Sequence, residues 1–189
     1  MQAPPRTHMQ RGAMIPLWSA LASHALARSE AWSDRRLRTV HERAIANLSQ
    51  WSIALESGRQ TLIHNDFNPR NFVLRRSPGG LTLCAYDWEL AMMGLPQRDL
   101  AECLVFMLPE RASREEISRR LEQHRAALER DAGIEIRRDE WEHGFRAALC
   151  DFLVDRLASY AMVDRVRRQA FLPRVARGWL NLYQHYPFA

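Results

Sequence analysis

One non-helical insert limits what this chain can fold into. Between Thr61 and Asp87 the apolar residues stop recurring at three- and four-residue steps. They fall instead into short runs suited to strands: Thr61-Leu62-Ile63, Phe72-Val73-Leu74 and Leu81-Thr82-Leu83-Cys84-Ala85-Tyr86. Ser77-Pro78-Gly79-Gly80 separates the last two, and its proline and glycines supply the dihedrals of a reversal. A hairpin there brings Asp87 back beside Asn71. Elsewhere the period is helical. Over residues 32–55, Leu37, Val40, Ala44, Ile45, Leu48, Trp51 and Leu55 predict one long amphipathic helix capped by Ser33 or Asp34. An earlier helix is expected over residues 16–27, with Pro16 in its first turn, and later ones over 100–108, 113–131, 139–164 and 171–183. The fold class is α+β, mostly helical, with a small β-hairpin carrying a loop.

A chain of 189 residues buries roughly 70% of its unfolded surface and needs only one domain. Residues 1–14, with Pro4 and Pro5, read as a disordered arm, and 15–189 as a single lobe. Cys84, Cys103 and Cys150 are odd in number, far apart and set in apolar stretches, which points to buried reduced thiols and a cytoplasmic setting. No apolar run approaches a membrane span or a signal peptide. The net charge of +5 raises nucleic acid as a partner, but the arginines alternate with glutamates and form no known nucleic-acid module. Glu115-Glu116 with Arg119-Arg120, and Glu122 with Arg125, read as solvated helix faces.

The chemistry concentrates in His64-Asn65-Asp66-Phe67-Asn68-Pro69-Arg70-Asn71 and in Asp87-Trp88-Glu89. Phosphoryl transfer asks the protein mainly for positioning and charge stabilisation. An aspartate accepts the proton of the attacking hydroxyl, an asparagine five residues on holds one magnesium, and a second aspartate bridges the metals. Asp66, Asn71 and Asp87 fit those roles in order. Asn65, Asn68 and Pro69 are also good turn formers, and as such need no catalytic role. Trp88 reads as packing, and Glu89 as a metal neighbour or a solvated residue.

His64-x-Asp66-x4-Asn71, then Tyr86-Asp87-Trp88-Glu89, then Gly94-x-Pro96-x2-Asp99-Leu100-Ala101 resembles the aminoglycoside phosphotransferase and choline kinase-like superfamily of small-molecule kinases. The likeness in motifs covers Leu62 to about Phe106. It implies a protein-kinase-like carboxy-terminal lobe and transfer of the γ-phosphate of Mg-ATP to a small-molecule hydroxyl. In it Asp66 is the catalytic base, Asn71 and Asp87 are the Mg2+ ligands, and His64 and Asp99 brace the loop.

A kinase of this type also uses an amino-terminal lobe whose lysine pairs with the phosphates beneath a glycine-rich loop. This chain has no lysine and no G-x-G-x-x-G, and arginine's planar fork does not replace a compact ammonium. The expectation is therefore a carboxy-terminal lobe without its nucleotide-binding lobe, which is supplied in cis or in trans. Orientation is worth roughly 7–11 kcal/mol in favourable cases, so the lobe alone is expected to be a poor enzyme. The alternative is a non-catalytic, pseudokinase-type binding or scaffold module.

The acceptor is expected to lie against the later helices. Asp151 and Asp155 share a helix face, near Glu140 and Glu142, and are candidates to bind a cationic acceptor. They also read as solvated residues paired with Arg146 and Arg156. Trp141, Phe145, Phe152, Trp179 and Tyr183 read as core.

Overall fold

The computed structural model describes residues 6–26 and 34–188. Helices α1 (His8–Ala13), α2 (Ile15–Leu26), α3 (Arg35–Ala46) and α4 (Leu48–Ser57) lead to the insert. Strands β1 (Thr61–Ile63), β2 (Phe72–Ser77), β3 (Gly80–Ala85) and β4 (Met92–Gly94) form it. Helices α5 (Pro96–Met107), α6 (Arg114–Ala132), α7 (Arg138–Asp151), α8 (Ala158–Val166) and α9 (Leu172–His185) follow. A π-helical segment, Phe152–Leu157, joins α7 to α8 without a break, so the expected helix over 139–164 is one rod with a widened middle.

The expected hairpin forms. β2 and β3 pair from Phe72 opposite Ala85 to Ser77 opposite Gly80, and Gly80 takes φ 115° at the reversal, a conformation glycine adopts without steric cost. A second sheet was not expected. Thr61-Leu62-Ile63 pairs with β4, Thr61 opposite Gly94 and Ile63 opposite Met92. Three residues are too short to display an alternation, and Gly94 reads in sequence as punctuation. In the strand it makes room for its neighbour: a Cβ there would lie 2.5 Å from Ile63 Cδ1.

Two helical expectations need correction. The long helix over 32–55 is broken at Asn47, where φ −99° and ψ 20° leave the α region. The break is held by Trp51, whose indole N–H donates to the Ala44 carbonyl at 2.8 Å, so a carbonyl at the helix end keeps a partner. Asp34 caps α3 by accepting from Arg36 N at 2.8 Å; Ser33 lies outside the described residues. The arm expected over 1–14 is helical from His8 to Ala13. Thr7 and Gln10 form a reciprocal capping box, and Arg11 is buried. Residues 1–5 lie outside the described residues.

The core runs along α7. Trp18, Trp51, Trp141 and Trp179 are fully enclosed, together with Phe145, Leu149, Phe152 and Leu153, and α7 packs against both α4 and α5. Each such side chain contributes about 1.5–3 kcal/mol by leaving water. Ser113 and Glu116 box the start of α6, and Gly133, at φ 64°, ends it. Cys150 is buried, whereas Cys84 and Cys103 are half-buried; all three are free thiols. Among the described residues no helix is long and apolar enough to cross a membrane.

Candidate functional site

β1 delivers the chain into the loop, and Asp99 in the first turn of α5 holds it there. Its carboxylate accepts from His64 N at 2.7 Å and from Asn65 N at 2.8 Å. Asn65 needs that support because it sits at φ 61°, a left-handed conformation that asparagine tolerates better than most residues. Burial raises the Asp99 carboxyl above its ordinary range, against the two N–H groups that lower it. The His64 ring is buried, lies 2.8 Å from the Tyr86 carbonyl through Nε2, and packs at a tilt against Trp88, ring centroids 4.7 Å apart. A carbonyl can only accept, so Nε2 carries the proton. His64 thus ties the loop to the end of β3.

Asp66 stands at the turn of the loop. Asn71 Nδ2 donates to its Oδ2 at 2.7 Å and Asn68 Nδ2 to its Oδ1 at 3.0 Å. The Tyr160 hydroxyl is 3.1 Å from Oδ1, and Arg156 Nη2 is 3.9 Å from the same oxygen. Burial disfavours the charged carboxylate, yet Arg156 and the hydrogen bonds from Asn71 and Tyr160 outweigh it and hold Asp66 below the usual carboxylate range. It is an ionised acceptor at neutral pH.

The hairpin brings Asp87 close along the backbone. Tyr86 N donates to the Asn71 carbonyl at 3.0 Å, so Asp87 follows directly on the residue paired with Asn71. It sits at φ 66° before a 3-10 turn, Trp88–Leu90, and its exposed side chain makes no capping bond. Asn71 spends Nδ2 on Asp66, which leaves its Oδ1 as an oxygen donor. An amide oxygen and a free carboxylate are the hard donors magnesium prefers, so the residues present fit such an ion. Among the described residues no group of three or more His, Cys, Asp or Glu is arranged to hold a metal.

Sequence reasoning missed the support behind Asp66. Glu102 on α5 is fully buried and accepts from Asn68 Nδ2 at 3.1 Å, from the Tyr160 hydroxyl at 3.0 Å and from Arg98 at 3.0 Å. One phenolic proton therefore lies between two carboxylates. Burial, with Glu102 and Asp66 beside it, raises the Tyr160 phenol, so it remains a donor. Asn68 is more than a turn former: its side chain is buried and links Asp66 to Glu102. The charge of Glu102 within the apolar run of α5 was the one available signal. Arg156 and Tyr160 gave none, since Asp66 lies far from both in sequence.

Arg70 leaves the loop over an aromatic group, with its guanidinium 4.7 Å from the Phe171 ring, 5.5 Å from Tyr160 and 5.6 Å from Phe106. The substrate candidates on the α7 rod sit otherwise than expected. Asp151 accepts from Arg98 at 3.1 Å and from Arg11 at 3.4 Å, and Asp155 from Arg6 at 3.0 Å and the Trp18 indole at 3.4 Å. Their partners are not Arg146, which pairs with Glu142 at 3.0 Å, nor Arg156, which faces Asp66. Both carboxylates fasten the first two helices to the rod. Trp88 lies half open over His64, and Glu89 is exposed.

No match was found among curated proteins or among solved structures. A family model described as the phosphotransferase enzyme family matches residues 2–134. That span contains the loop, Asp87, Asp99 and Glu102, and stops before the rod that carries Arg156 and Tyr160. With most of its length under that model, the chain belongs to the phosphotransferase enzyme family.

Proposed function

We propose that this lobe directs the transfer of the γ-phosphate of ATP to the hydroxyl of a small molecule, with Asp66 accepting the hydroxyl proton. The observation that carries this reading is the state of Asp66: ionised, fixed on both oxygens by Asn71, Asn68 and Tyr160, and braced from behind by Glu102. A base held in this way needs no reorganisation when the acceptor arrives. Arg156 beside it supplies positive charge where negative charge gathers during transfer. Asn71 Oδ1 and the Asp87 carboxylate would hold magnesium. When bound, that ion neutralises charge on the nucleotide phosphates. His64 and Asp99 serve by holding the loop.

The nucleotide phosphates require a second lobe, in cis or in trans, and the exposed surface of the hairpin supports its docking. Val73, Leu74, Leu81, Leu83, Tyr86, Trp88 and Leu90 are each at least 40% exposed, and an apolar patch of this kind marks an interaction surface. Joined to such a lobe, the chain is expected to release ADP in the presence of a hydroxyl acceptor. Asp66→Asn should lower that rate about 100-fold or more, the usual worth of a general base. Activity unchanged in Asp66→Asn removes Asp66 from the base role. Nucleotide binding without any turnover across a panel of alcohols favours the non-catalytic module instead.

A further inference from the structure

Away from the Asp66 loop, α4, the start of α5, and helices α6 and α7 line a half-open cavity of about 250 Å³. At about 30 Å³ per water that is room for roughly eight waters. Leu95, Leu128, Ile134 and Ile136 give it apolar walls. Three further wall residues each have a buried polar atom without a hydrogen-bond partner: Gln60 Oε1, Gln97 Oε1 and Trp141 Nε1. The amide orientations follow from their nitrogens. Gln60 Nε2 donates to the Leu55 and Gly58 carbonyls at 2.7 and 3.0 Å, and Gln97 Nε2 to the Trp141 carbonyl at 3.4 Å. Each oxygen is therefore left as an acceptor, and the indole N–H as a donor.

Gln60 has another outlet. It also lines a void of about 30 Å³ with Arg98, whose Nη2 lacks a partner, and one water there would satisfy both. Gln97 and Trp141 do not line that void, and they are only 6% and 2% exposed; the Trp141 indole stacks on His124, whose Nδ1 also lacks a partner. Orphaned groups are few in native interiors, so an acceptor and a donor left unpaired on the wall of one cavity point to a ligand that brings the complementary pair. The ionisable wall residues, Arg59, Glu140 and His143, all reach solvent, so the buried wall is neutral.

We propose that this cavity binds a small, flat, uncharged molecule with an N–H beside a carbonyl, as in a lactam or cyclic urea. Its N–H meets Gln97 Oε1, its carbonyl accepts from Trp141 Nε1, and its ring lies against the aliphatic walls. Thr61 on the same wall opens β1, the strand that enters the Asp66 loop, so the site adjoins the catalytic machinery without belonging to it. The proposal goes beyond the phosphotransfer reading, and its test involves no phosphoryl transfer.

The probe is 2-quinolinone, titrated into the full chain with the indole N–H signals followed by NMR and the heat by calorimetry. Saturable binding at one equivalent is expected, with the largest shift on the indole signal that disappears in Trp141→Phe. N-methyl-2-quinolinone lacks the donor and should bind about ten-fold more weakly, the effect of leaving a buried acceptor unpaired. Gln97→Met should weaken 2-quinolinone similarly while retaining the thermal transition. If either variant fails to fold, the two compounds compared on the unaltered chain decide the matter. Absence of saturable binding, equal affinity for both compounds, or affinity unchanged in both variants overturns the proposal.

Discussion

Asp99 is the residue on which the loop's backbone depends. Asp99→Ala strips the acceptor from two N–H groups at once, His64 and Asn65. It should cost about 3 kcal/mol in urea unfolding, while Asp99→Asn, which keeps one acceptor, should cost less. Tyr160→Phe removes the proton lying between Asp66 and Glu102; a loss of about 1–3 kcal/mol is expected by the same measurement, larger than for an exposed tyrosine. These sites differ in how readable they are. His64, Asp66 and Asn71 lie within eight residues of one loop, so their proximity is visible in the sequence. Glu102, Arg156 and Tyr160 reach Asp66 only because distant helices are packed together, and a linear sequence does not encode that proximity locally.

Among the elements, the hairpin and most helices were legible because their signals are local: short apolar runs on either side of a Pro-Gly reversal, and apolar residues on one helical face. β4 was not, since Met92-Met93-Gly94 becomes a strand only through its pairing with β1. That pairing makes a specific prediction. Gly94→Ala drives a methyl toward Ile63 Cδ1 and should destabilise by about 1–3 kcal/mol. Ile63→Val removes that atom, so in the double variant much of the loss should return. Strict additivity of the two changes in thermal unfolding would refute the contact. The break at Asn47 was equally hidden, because the apolar spacing continues across it while Trp51 bonds back to Ala44.

For the molecule as a whole, stability should depend on pH through its enclosed histidines. Burial pushes His41 down to about 4 and lowers His124 as well. The unfolded chain therefore binds protons near the ordinary value of about 6.5 that the folded chain refuses. Stability contributed by these residues is complete above about pH 6.5 and falls as the pH is lowered toward 4. His41 alone accounts for a decline on the order of 2–3 kcal/mol. Asp99, raised by burial, works in the opposite sense, so the test is a comparison: thermal midpoints between pH 4.5 and 7 should vary less in His41→Gln than in the unaltered chain. The rod formed by α7, the π-helical segment and α8 connects the regions of the lobe. Asp151 and Asp155 grip Arg6, Arg11 and Trp18, while one residue and five residues beyond Asp155 the same rod offers Arg156 and Tyr160 to Asp66. A polypeptide shortened at its start would thus lose the counterweight that keeps this rod seated, and the Asp66 carboxylate would slacken although no atom near it had been altered.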